Sequence, residues 1–135
     1  MRIHPPPHWP AWWFSAMPAA LLLALAAWAA PAHAKPQTEA DYLHSYVALV
    51  CIRASYARLS PPAPHVLKLL DAEAWVFVEK GRQGPEVYAT LHPLATEAGG
   101  AIPPEAAFRA CTAWAHGPEA TRHITRLLKA PAVPK

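Results

Sequence analysis

Between Tyr42 and Tyr56 the apolar residues recur at helical spacing in two adjacent stripes. Leu43, Tyr46, Val47, Val50 and Ala54 form one, and Tyr42, Leu49, Ile52 and Tyr56 form the other. A helix that is apolar on two sides needs partners on both, so this stretch predicts a central helix. Its narrow solvated edge is marked by His44, Ser45, Arg53 and Arg58. The helix is expected to follow a polar lead-in over residues 35–39, to be capped by Thr38 or Asp41, and to run to about Leu59. Ser60-Pro61-Pro62-Ala63-Pro64 ends it, because proline lacks a donor and restricts the residue before it.

The same spacing returns four more times. Val66, Leu67, Leu70, Ala74, Phe77 and Val78 predict a second helix with Gly81 as its C-terminal cap. A strand over residues 75–78 competes with that reading, but no second strand of similar strength is present to pair with it. Gly84-Pro85-Glu86 starts a third helix, with proline in its first turn and an acid at the positive end of the dipole. Val87, Tyr88, Leu91 and Leu94 lie on one side of it, and Pro93 is expected to kink or end it near His92. Residues 95–104 hold Gly99-Gly100 and Pro103-Pro104 with few large apolar groups, and read as an exposed loop. A fourth helix opens at Pro104-Glu105 and turns Ala107, Phe108, Cys111, Trp114 and Ala115 inward. A fifth follows His116-Gly117-Pro118-Glu119, with Ala120, Ile124, Leu127 and Leu128 toward the core and a frayed tail from Ala130 onward. Short connections make neighbours antiparallel, so the expected fold is all-α, a compact bundle of four to five helices. Trp75 and Tyr88 are left over as exposed aromatics.

The N-terminus stands apart from this pattern. Arg2, the apolar run over residues 19–30 and the small-residue site Ala32-His33-Ala34 predict a secretory signal peptide over residues 1–34, cleaved after Ala34. The run is shorter than the roughly 20 residues that a membrane span needs, though Trp12, Trp13 and Phe14 extend it. The mature chain, residues 35–135, is then a single domain of about 100 residues, small enough to benefit from a covalent staple. Two cysteines in an exported protein supply one, so Cys51 and Cys111 are expected to form a disulfide. Of the 12 Lys and Arg, only Arg2 precedes residue 35, which leaves eleven against nine acids with both signs scattered. No charge run marks a nucleic-acid or membrane-surface binder.

Candidate chemistry is sparse. A catalytic thiol needs an electropositive, partly open setting, and the helical neighbours of Cys51 are Val47, Ala48, Ala54 and Ser55. His44, His65, His92, His116 and His123 show no zinc spacing, so neither a metal nor a cofactor is expected. Glu119 and His123, four apart, read as a surface pair. No phosphate loop, haem signature or nucleophile elbow is present, and the chain reads as a binder or inhibitor, not an enzyme.

Two motifs carry a resemblance. Cys51-Ile52-x-x-x-Tyr56 in the first helix and Phe108-x-x-Cys111-x-x-x-x-His116-x-x-Glu119 near the end resemble the immunity proteins of type VI secretion amidase effectors. Trp75 with Glu79 and the step His92-Pro93-Leu94 match that family between the two motifs. Ser55, Thr112, Trp114-Ala115 and Ala120 depart from its usual residues. The resemblance covers residues 42–128 and implies a periplasmic all-helical protein with an internal disulfide, a homodimer in most members. Its partner would be a peptidoglycan amidase of the cysteine-histidine type, whose cleft it blocks with a loop. Here that loop would be residues 95–104, with Pro93 and Leu94 setting its departure, Gly99 and Gly100 its return, and Glu97 as the contacting charge. The connection over residues 81–86 is the next candidate. A periplasmic helical adaptor without a toxin partner is the alternative.

Overall fold

The computed structural model describes residues 35–130. The chain divides into two units, Met1–Lys35 and Pro36–Lys135, and the expected signal peptide lies outside the described residues, as does the tail beyond Ala130. The second unit is all-α. Its helices are α1 (Glu39–Tyr56), α2 (Pro64–Lys80), α3 (Pro85–Ala101), α4 (Ala107–Ala115) and α5 (Pro118–Lys129), with one 3-10 turn at Pro104–Ala106 before α4. No helix among the described residues is long and apolar enough to cross a membrane.

The helix predicted to be central is central. α1 packs against α2, α3, α4 and α5, and buries Leu43, Tyr46, Val47, Val50, Cys51, Ile52 and Ser55. It begins in a reciprocal cap, in which Asp41 N–H donates to Thr38 Oγ1 at 3.2 Å and Thr38 N–H donates to Asp41 Oδ2 at 2.7 Å. It ends at Tyr56, three residues before the expected end. Arg58 N–H and Leu59 N–H close shorter bonds to the Ser55 and Tyr56 carbonyls there, as the chain prepares for the proline run.

Every other helix has proline at or near its start. Pro64, Pro85 and Pro118 occupy first turns where a missing N–H costs nothing, and Pro104 opens the turn that leads into α4. α2 is the outermost helix. It buries only Ala74 and leaves Leu69 and Trp75 largely exposed. An exposed bidentate pair, Arg53 to Asp71 at 2.8 and 3.3 Å, ties it to α1 and is worth about 1 kcal/mol or less.

Expectations also fail at three places in α3 and α4. The segment after Pro93 is no loop: α3 continues through it to Ala101. Ala95, Glu97 and Ala98 are good helix formers, and the one backbone bond that Pro93 deletes leaves a carbonyl, that of Ala89, on an exposed stretch of helix. The stop comes instead from Pro103, which holds Ile102 in an extended conformation. Tyr88 is no exposed aromatic: it is 1 % exposed, set edge-on against Tyr46 and donating its hydroxyl to the Phe77 carbonyl at 3.0 Å. Phe108 points out, at 72 % exposure. Ala107, Cys111 and Ala115, at intervals of four, are the line of α4 that faces inward, and a residue one step off that line is rotated about 100° away from it.

Candidate interaction site

The residues expected to contact a partner sit on one helix but on two of its faces. Leu91, Ala95 and Gly99 form the inner line of α3, at intervals of four and with diminishing size. The taper lets α3 converge on α1. At Gly99 a Cβ would collide with the Cys51 carbonyl oxygen and the Ala54 side chain, so this glycine is required by close approach and not by a turn. Gly99 is therefore unavailable to a partner. Gly100 faces open space with nothing near it.

Pro93, Leu94 and Glu97 form the outer line. Pro93 and Glu97 are exposed and Leu94 is half-buried. Two pockets meet along this line. One, of about 380 Å³, lies between Leu91, Leu94 and Glu97 of α3 and His123, Arg126 and Leu127 of α5. The other, of about 410 Å³, runs from Leu94 and Glu97 to Ala101, Ile102, Trp114 and Glu119. Sharing Leu94 and Glu97, they make one trough. The early residue Glu119 of α5 lies at the Ile102 end, and Arg126 at the Leu91 end, so α3 and α5 run antiparallel along it. Glu119 accepts a bond from Trp114 Nε1 at 3.2 Å and forms no ion pair with His123, contrary to the pair expected four residues apart.

Beneath the Cys51 level the seam between α1 and α4 is closed covalently. Cys51 and Cys111 are bonded, with Cα atoms 5.6 Å apart and both residues fully buried, as expected. In that state neither sulfur is a nucleophile. Ser55, buried in the same helix, donates to the Ile102 carbonyl at 2.7 Å, and Arg58 Nη2 donates to the same oxygen. Ser55 of α1 and Arg58 just beyond its end thus hold the turn where α3 ends.

Two histidine contacts were not legible in the sequence. His44, assigned to a solvated edge, donates from Nδ1 to the Ala115 carbonyl at 2.6 Å, since a carbonyl can only accept, and its ring stacks on His116 at 4.8 Å. That bond satisfies an orphan carbonyl at the end of α4. His92 Nδ1 is hydrogen-bonded to the Tyr46 hydroxyl at 3.0 Å, and burial, followed by the Asp71 charge, raises the Tyr46 pKa. Both contacts join helices more than forty residues apart, where no local spacing can announce them. Among the described residues no group of three or more His, Cys, Asp or Glu could hold a metal ion.

The connection over residues 81–86 is a short pinned turn. Arg82 N–H donates to both Glu39 carboxylate oxygens at 2.9 Å, and Gln83 N–H to one of them at 3.3 Å. The Arg82 side chain projects into solvent. Compared with protein-family models, with curated proteins and with solved structures, the chain gives no significant match.

Proposed function

We propose that the protein is a periplasmic immunity protein that binds and inhibits a peptidoglycan-cleaving amidase of the cysteine-histidine type. The observation that supports this reading best is the pair of motifs around Cys51 and Cys111, which resemble the type VI secretion immunity family and whose cysteines are joined to each other. With residues 95–101 helical, the contact surface is a helical ridge and not a loop: Pro93, Leu94 and Glu97 project from α3, held rigid from behind by the converging α1. Rigidity of this kind lowers the ordering cost of binding. Glu97 is exposed and can accept a charge-assisted bond from a cationic side chain of the amidase, whether a protonated imidazole or a base beside the cleft. A homodimer and an N-terminal leader that exports the chain belong to the same proposal.

The test is co-purification with candidate amidases, joined to protection of cells that express the amidase in their periplasm. Binding and full protection are expected, with Glu97→Ala weakening the complex by about 2 kcal/mol. An amidase panel that lyses cells equally with and without the protein would sink the reading. So would peptidoglycan turnover by the purified protein itself.

A further inference from the structure

The trough between α3 and α5 has an order of charges that the α3 ridge alone does not explain. Arg126 and His123 occupy one end, Glu97 the middle, and Glu119 the other end beside Ile102. Within the described residues Glu97, His123 and Arg126 have no ion-pair partner, since the ion pairs there are Arg53 with Asp71 and Arg82 with Glu39. Two unpaired charges of opposite sign, Glu97 and Arg126, therefore lie along one open groove, with the His123 ring beside it. Between them the surface is aliphatic, made by Leu91, Leu94 and Leu127. From Thr90 to Ala101 the trough follows twelve residues of α3, eleven steps of 1.5 Å or roughly 16 Å. Five residues of extended chain cover that length at about 3.3 Å each.

We propose that this trough binds an extended segment of the partner protein that carries an acid and a base about four residues apart with an aliphatic side chain between them. The acid meets Arg126 and His123, the aliphatic group rests on Leu94 and Leu127, and the base meets Glu97 and Glu119. The order of charges sets the direction in which the segment lies. A simple anion fits less well, because it would have only one end of the groove and would meet Glu97 beyond it. A segment with bases at both ends would place one against Arg126. The proposal deepens the reading of the α3 ridge as a contact surface, and rests on that reading for the partner's identity. The recognition chemistry stands on the trough itself.

The test titrates the purified, isotope-labelled protein with three capped pentapeptides, followed by amide chemical shifts. The first is Asp-Gly-Leu-Gly-Lys, the second its neutral counterpart Asn-Gly-Leu-Gly-Gln, and the third Lys-Gly-Leu-Gly-Lys. Saturable shifts centred on Leu94, Glu97 and Arg126 are expected with the first peptide, and about fivefold weaker binding with each of the others. Arg126→Ala and Glu97→Gln should each weaken the first peptide by about the same factor, and added salt should weaken it further. Equal binding of all three peptides, or no saturable shift with the first, overturns the proposal. If no amidase is bound but the first peptide is, the trough is correct and the immunity reading is not. If an amidase is bound with the same affinity by Arg126→Ala and Glu97→Gln protein, the immunity reading stands and the trough proposal falls.

Discussion

The two faces of α3 differ more than their sequences suggest. Toward α1 the line Leu91, Ala95, Gly99 leaves no room: a single added methyl at Gly99 meets backbone. Away from α1 the line Pro93, Leu94, Glu97 borders the open trough between α3 and α5. One helix thus serves as a wall of the core and a wall of a groove. The lesson lies in what small residues mean in each place. On the inner face they set how closely α1 and α3 approach, and the Cys51–Cys111 bond locks α4 onto α1 at the same level. On the outer face Gly100 serves no such purpose.

The largest effect should come from opening that seam chemically. Cys111→Ser removes a bond that closes a separation of 60 residues, which in the chain-entropy model is worth about 4 kcal/mol. Urea unfolding measures it, and a loss well under 1 kcal/mol would show that packing alone holds α4 to α1. Next comes the steric test of the taper. Gly99→Ala should destabilise by about 2 kcal/mol, although alanine is the better helix former, because the clash is with the Cys51 carbonyl and not with a movable side chain tip. Neutral or raised stability would mean that α3 can shift outward, and that the two faces are less different than they look.

Alkaline pH gives a third probe of the closed side. Burial, followed by the Glu39 carboxylate, pushes the Tyr88 phenol up to about 12. In the unfolded chain it ionises near pH 10, so the folded state holds the proton more tightly. Stability should be unaffected by this group below about pH 10 and should decline as the pH rises toward 12. Tyr88→Phe should flatten part of that decline in pH-dependent urea unfolding, with Tyr46, also raised, responsible for a further part. The smallest change is expected on the open side, and with the opposite sign. Gly100→Ala meets nothing within 4 Å and should stabilise the protein by about 0.5 kcal/mol or slightly more. The contrast between neighbouring glycines, one intolerant and one improved, is the sharpest form of the comparison.

Much of the fold was legible because it depends on local rules. The double apolar stripe of α1, prolines in helix first turns and the Thr38-Asp41 cap act within four residues of where they are seen. The candidate site was legible only as a set of residues. Pro93 and Leu94 were expected at the end of the third helix and Glu97 on a loop beyond it, since Pro and Gly-Gly punctuate a chain when nothing else competes, whereas all three lie on one continuous helix. His123 and Arg126, across the trough, carried no signal beyond being polar residues on a helix.

What the amino-acid sequence determined by itself is the helical class, the number of helices among the described residues and most of their limits, because hydrophobic period and proline position act through neighbouring residues. What only the tertiary structure decided is the course of residues 93–101, the inward turn of Tyr88, the outward turn of Phe108 and the pairing of His44 with Ala115. The distant partners lie tens of residues away: position 99 must be glycine because the Cys51 carbonyl comes close, Tyr88 turns inward against Tyr46, and α4 has its rotation because Cys111 is tied to Cys51. The free energy of such contacts exceeds the roughly 1 kcal/mol by which glycine disfavours a helix, so distant packing overrides local preference.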